Sequence, residues 1–210
     1  MSDKREETKA RNRLALIEAT IASIADLGFV DTSVTRIIER ANLSRGMIHL
    51  HFGSKDNLML AAVKHASEQY YRELERRLPA NNASPQQRLE AIISADLSDG
   101  LLNETSANVW YAFRGEAREQ AAFAKYSSTR DKRLKELVLE AFTMIASETD
   151  EPDPRMLARD ATHGVLALLE GMWMDYLLHT NSFNRGTAKR IVLRFLSAMF
   201  PNHFDLRGHI

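Results

Sequence analysis

Apolar residues recur at three- and four-residue spacing along almost the whole chain, and strand-like alternation is absent. That pattern predicts an all-α protein of about nine helices, with no internal repeat. In the first helix Leu14, Ile17, Ile21 and Ile24 form one stripe, and Gly28 closes it. Ser33 is suited to cap a short second helix over residues 34–41, and Asn42 to stop it in the left-handed conformation. Ser44 is suited to cap a third over residues 45–51. Gly53 and Ser54 then break the chain, and Ser54 opens a long fourth helix to about residue 78.

Further breaks follow the same logic. Pro79 to Pro85 reads as a loop, and Ser84 with Pro85 opens a fifth helix to about residue 101. Thr105 or Ser106 opens a sixth, and a seventh covers about 123–147. Asp153 and Pro154 start an eighth, to about residue 179. Asn184 begins a ninth that ends before Pro201, and 202–210 reads as a loose tail. The division expected is an N-terminal domain over 1–53 and a larger one over 54–210, with 54–78 a connecting helix.

Composition narrows the chemistry. The 210 residues contain no cysteine, which excludes disulfides, cysteine nucleophiles and thiolate metal sites, and suits a reducing cytoplasm. The first residues have no apolar run, so no secretory leader is expected. The longest apolar stretch, 164–178, is broken by Glu170, Gly171 and Asp175 and falls short of the ~20 residues a membrane span needs. No P-loop, HExxH or nucleophile motif is present, so neither an enzyme nor a bound cofactor is expected, although an α-helical enzyme remains an alternative. His49 and His51 point about 200° apart on a helix, so they do not form a metal site.

Net charge is zero, with 28 basic and 28 acidic side chains, whereas DNA-binding domains are commonly basic. The cations are clustered, however. Lys4, Arg5, Lys9, Arg11 and Arg13 crowd the N-terminus, and Arg36, Arg40, Arg45 and Lys55 lie in or beside the second and third helices. Acids of the same region, among them Glu6, Glu7, Glu18, Asp26, Glu39 and Asp56, nearly cancel them, so binding to nucleic acid would rest on a few placed contacts rather than a bulk field.

The second and third helices carry the most informative pattern. A major groove ~12 Å wide admits one helix, which a partner must hold out from the protein. Ile37, Ala41, Leu43, Ile48 and Phe52 are spaced to pack inward against Leu14, Ile17 and Ile21. Arg45, Gly46, Met47, His49 and Leu50 are left facing outward. Arg45 can reach guanine O6 and N7, Gly46 permits close approach, and Met47 suits a thymine methyl. Ser33, Thr35, His49 and Lys55 are placed to bond phosphates. The alternative is a three-helix core with ordinary polar decoration.

The run from Ser33 through Leu58, with Gly28-Phe29 before it, resembles the signature of the TetR family of repressors. The resemblance implies a homodimer that reads a palindromic operator in double-stranded DNA, with a small-molecule effector in the C-terminal domain. It places Ser33 and Thr35 at phosphate contacts and Arg45, Gly46 and Met47 at base contacts. His49 stands where the family has tyrosine, and His51 and Lys55 match the family's own His and Lys. With Ser44 and Leu50 these complete the candidate DNA-contacting set. Asn42 departs from the turn glycine, Ile38 from a small alanine, and His49 brings an expected pH dependence near 6–7.

Residues 109–113 and 164–173 resemble the BetI subgroup of betaine-synthesis repressors, whose effector is choline. A quaternary ammonium needs aromatic faces and a carboxylate. Trp110, Tyr111, Phe113, Glu170 and Trp173 are the candidates, each with an alternative role in the core or at its edge. The eighth helix is apolar nearly all round, and the ninth carries an apolar stripe. An isologous four-helix interface would cover them, with Leu169, Tyr176, Ile191, Phe195 and Met199 contributing. Such a pair sets two heads ~34–36 Å apart, one helical turn of DNA. A dimeric DNA-binding protein without an effector is the other reading of these features.

Overall fold

The computed structural model describes the backbone of residues 2–80, 82–117 and 121–204, and the side chains of 4–80, 82–116 and 132–204. Among the described residues the chain forms nine α-helices and no strand, as its periodicity predicts. They are α1 (Ser2–Asp31), α2 (Val34–Ala41), α3 (Arg45–Phe52), α4 (Lys55–Arg77), α5 (Pro85–Asp96), α6 (Glu104–Ala117), α7 (Ala121–Ala146), α8 (Pro154–Leu178) and α9 (Arg185–Met199).

Packing divides the chain into two compact units. One joins Met1–Gln69 to Glu104–Thr129, and the other joins Tyr70–Asn103 to Arg130–Ile210. The first unit is therefore larger than a domain ending at residue 53. The reason is α6, which lies along α1, with Val109 and Phe113 buried against Ile24, Met59 and Val63.

A second cluster in this unit holds α2 and α3. Leu16, Ile17 and Ala19 of α1 pack with Ile37 of α2, Ile48 of α3 and Leu58 of α4. The buried stripe of α1 is thus shifted from the one expected. Leu14 is 41% exposed, and Leu16 takes the inward place. Thr20 and Ser23 are also buried, because their hydroxyls donate to the carbonyls of Leu16 and Ala19, both at 2.7 Å.

The helix stops follow local chemistry. Gly28 sits at φ 79°, a region glycine enters without penalty, and kinks α1 before its last residues. Asn42 takes φ 51°, ψ 46°, and the Leu43 N–H donates to Ile38 O at 3.1 Å to close α2. Ser33 Oγ accepts the Arg36 N–H at 3.3 Å, and Ser54 Oγ accepts that of Asn57 at 3.1 Å. Asn57 in turn donates to Phe52 O at 2.8 Å, fixing the corner between α3 and α4. Arg40 pairs with Asp26 and ties α2 to α1.

In the second unit α8 packs on α9, and α9 on α5. Helices α8 and α9 approach closely at Gly164. A Cβ there would lie 2.3 Å from the Phe195 ring, so only glycine lets α9 come this near. Phe142 of α7 stacks on Phe200, with ring centroids 5.5 Å apart. Arg185, at the start of α9, donates to Leu97 O and Leu102 O, both at 2.7 Å, and lies over the rings of Tyr176 and Phe183.

Two boundaries differ from expectation. Helix α5 ends at Asp96 rather than near residue 101, because Ser98 and Leu102 N–H groups turn back on Ala95 and Ser98 carbonyls. Phe204, expected in a loose tail, is buried beside Phe200; residues 205–210 of that tail lie outside the described residues.

Candidate functional site

The two short helices present their polar sides outward. Ile37 and Ile48 are buried, whereas Ser33, Thr35, Ser44, Arg45, Gly46, His49 and Leu50 are exposed. Leu50 is 68% exposed. Ser44 holds the N-cap position of α3 but makes no side-chain cap bond. Its hydroxyl and the first amides of α3 are thus left for an anion, where the helix dipole favours one.

Three members of the expected DNA-contacting set sit deeper than the rest. Met47 was expected to face outward, but it is half-buried at the edge of the cluster that holds Leu16, Ile37 and Ile48, into which its neighbour Ile48 is turned. Lys55 is half-buried at the start of α4. His51 turns toward α1, and its Nε2 is buried without a hydrogen-bond partner. Burial, then the charges of Lys9 and Arg13, hold its pKa below the ordinary 6.5.

The five aromatic and acidic candidates for an effector do not share one unit. Trp110, Tyr111 and Phe113 lie in the first and Glu170 and Trp173 in the second. Phe113 belongs to the core and meets Phe29 edge-on at 5.9 Å. Trp110 already carries a cation, the Arg114 guanidinium 4.9 Å from its ring. Tyr111 and Glu170 are half-buried.

Trp173 gathers a constellation that sequence reasoning missed. Its indole N–H donates to Asp96 Oδ2 at 2.8 Å, and the Tyr70 hydroxyl donates to Oδ1 at 2.5 Å. Asp96 is 0% exposed. The Tyr70 ring lies 6.3 Å from Trp173 and meets Tyr71 edge-on at 5.2 Å. Arg133 covers the Tyr71 ring at 4.5 Å. The signal was present in the sequence: Asp96 is the one acid in an apolar run from Ile92 to Leu97. Both oxygens of the buried carboxylate are thus satisfied by donors, and aromatic groups surround it.

The expected interface residues fall into two groups. Leu169 is buried inside its own unit, because α8 turns that face to the core, and so offers no surface to a partner. Tyr176 packs edge-on against Phe183 at 5.4 Å, and Phe195 lies over Gly164; both are half-buried. Met199 is half-buried, and Ile191 is 42% exposed; Met174 and Leu178 of the same unit are also exposed. An open cavity of about 210 Å³ lies where α8 meets α9, lined by Met172, Asp175, His179 and Ile191 among others.

Among the described residues no group of histidine and carboxylate side chains is arranged to hold a metal, and no helix is long and apolar enough to cross a membrane. What remains is an all-α chain with a braced, outward-facing third helix. That defines a helix-turn-helix transcriptional regulator, and comparison with known proteins agrees. Residues 16–62 match the model of the bacterial regulatory proteins of the tetR family, and residues 85–201 match that of the BetI-type transcriptional repressor C-terminal domain. The chain belongs to the TetR family of transcriptional regulators, with a C-terminal domain of BetI type.

Relatives support the same placement along nearly the full chain. The HTH-type transcriptional regulator BetI of Serratia proteamaculans is 27% identical over 198 residues, covering 94% of this chain and 93% of the relative. BetI of Cronobacter sakazakii is 29% identical over 185 residues, 88% of each. Among solved structures, a candidate transcriptional regulator of Saccharomonospora viridis in complex with choline superposes with a TM-score of 0.78 at 18% identity, over 94% of this chain and 99% of that one. A TetR transcription regulator of Haloarcula marismortui gives 0.71 at 18% identity, over 93% and 100%. These likenesses concern the fold. The family and the relatives are regulators of transcription, not enzymes.

Proposed function

We propose that the protein is a cytoplasmic, homodimeric repressor that reads a palindromic operator through α3 and responds to a small organic cation of the choline type. The observation that carries the DNA reading is the exposed face Arg45, Gly46, His49 and Leu50 on a helix pinned from behind by Ile48 and Ile37. Ser33, Thr35 and Ser44 stand beside it at the N-termini of α2 and α3, where phosphate oxygens find amide donors. Met47, His51 and Lys55 complete the contacts by smaller adjustments. Residues 1–53 act as the reading head and 54–210 as the sensing and pairing part.

For the effector we favour the Asp96 cluster over the original five residues, retaining only Trp173 at its centre. A quaternary ammonium gains from each desolvated aromatic face and from a carboxylate, and Tyr70, Tyr71, Trp173 and Asp96 supply both. A relative of the same fold crystallised with choline is in line with this. Pairing of two copies through Ile191, Phe195, Met199 and Tyr176 sets the spacing of the heads, and effector binding acts by favouring one spacing.

Fluorescence anisotropy tests the reading. A duplex selected by the protein from a random pool is titrated with protein, with and without choline. Sequence-selective binding that choline weakens supports it. Absence of any selected sequence rules out the regulator reading at this site, and selection with no response to choline or other quaternary amines favours a DNA-binding dimer without an effector.

A further inference from the structure

The N-terminal turns of α1 carry a feature that the helix-turn-helix does not use. Helix α1 is continuous from residue 2, yet its first fully buried side chain is Leu16. Residues 4–15 thus run about 18 Å ahead of the fully buried core at 1.5 Å per residue, with Thr8, Asn12 and Ala15 half-buried among them. Arg5, Lys9 and Arg13 follow one another at four-residue spacing, so they line one face of that stretch. Leu16 and Thr20 continue the same face inward, and this is the face that packs on α2 and α3. The stripe changes from apolar to basic where α1 passes the end of α3.

Two contacts fix that position. The Arg13 guanidinium lies 5.1 Å from the centre of the Phe52 ring, at the last residue of α3. Lys9 and Arg13 both act electrostatically on His51, one residue earlier. All three cations are exposed, and none has an ion-pair partner among the described residues. Arg40, further along the same unit, is by contrast paired with Asp26. An unpaired basic row costs folding energy through self-repulsion, which an anionic partner removes.

We propose that the Arg5–Lys9–Arg13 face is a second DNA-contacting surface, which grips the phosphate backbone flanking the bases read by α3. The proposal rests on the DNA reading above. A helix lying in a groove ~12 Å wide has phosphates along both walls, and this stretch leaves the head beside the C-terminal end of α3. Its length spans several phosphates, at one charge per ~1.7 Å of duplex axis. Such contacts raise affinity and salt dependence without adding sequence information.

The test uses the full-length protein and the duplex it selects from a random pool, kept with long flanks. Binding is measured from 50 to 200 mM salt for the wild type, for R5Q/K9Q/R13Q and for R5Q/K9Q, which keeps the Arg13–Phe52 contact. Each lost phosphate contact should lower the slope of log K against log salt by ~0.9. We expect both variants to lose at least about 2 units of slope across the two heads, while selecting the same sequence. Trimming the flanks should cut wild-type affinity and leave the triple variant unaffected. An unchanged slope in both variants, with wild-type helical content by circular dichroism, overturns this proposal alone. A wild type that selects no sequence overturns the DNA reading on which it rests.

Discussion

Trp173 and Asp96, 77 positions apart in the chain, are joined by a buried indole-to-carboxylate hydrogen bond of 2.8 Å. The Tyr70 hydroxyl donates to the other carboxylate oxygen, so one side chain organises aromatic groups from α4 and α8. Replacing Asp96 with Ala strands two buried donors, each worth about 1–3 kcal/mol. Chemical unfolding of D96A should show a loss of that size or more. D96N keeps the shape but not the charge, so its choline response in the anisotropy assay should fall further than its stability. Equal choline response in D96N and wild type would remove Asp96 from the effector site.

Gly164→Ala places a methyl group against the Phe195 ring, where 2.3 Å separation leaves no room. The ring must swing out or α9 must shift. Overpacking of this kind typically costs about 1–3 kcal/mol, set against a helix-propensity gain of about 1 for replacing glycine. A net fall in unfolding midpoint is expected, together with weaker self-association by analytical ultracentrifugation, since Phe195 lies on the proposed pairing face. An unchanged midpoint would mean the ring moves freely.

Arg185 bonds two carbonyls of the α5–α6 turn and lies over two aromatic rings. Lysine reproduces its charge but neither the planar fork nor the stacking. R185K is expected to lose about 1–3 kcal/mol. A thermal midpoint indistinguishable from wild type would show that these contacts carry little weight.

His51 gives the first unit a pH dependence with a defined sign. Its folded-state pKa lies below 6.5, first through burial and then through Lys9 and Arg13. Below that value the unfolded chain binds a proton that the folded one resists, so stability falls as pH drops beneath about 6.5. Urea midpoints at pH 8 and pH 5 should differ less for H51Q than for wild type. Identical differences would mean that another group governs the effect. The sequence pointed instead to His49, which is exposed, because position on a helix does not reveal which histidine turns toward a neighbouring one.

Much of the reading head was legible because its signals are local. Ser33, Asn42, Gly53 and Ser54 act within a few residues of themselves, and the helices they bound fall where those residues imply. The phase of α1 was harder. Leu14 and Leu16 are both apolar, and the deciding residues, Thr20 and Ser23, look like surface positions until their hydroxyls bond the turn behind them. Asp96 was missed for the opposite reason. Its partners, Tyr70 and Trp173, come from elsewhere in the chain, and periodicity carries no information on which distant side chains converge.

Major-groove chemistry gives the most direct check on α3 as the reading element. Arg45 is expected to approach guanine N7, the atom that dimethyl sulfate methylates. Protection of guanines by the protein on its selected duplex should appear as two clusters about one helical turn apart, and R45A should lose those cores of protection while retaining weak binding. Unprotected guanines at both half-sites, with wild-type protein fully bound, would contradict the account.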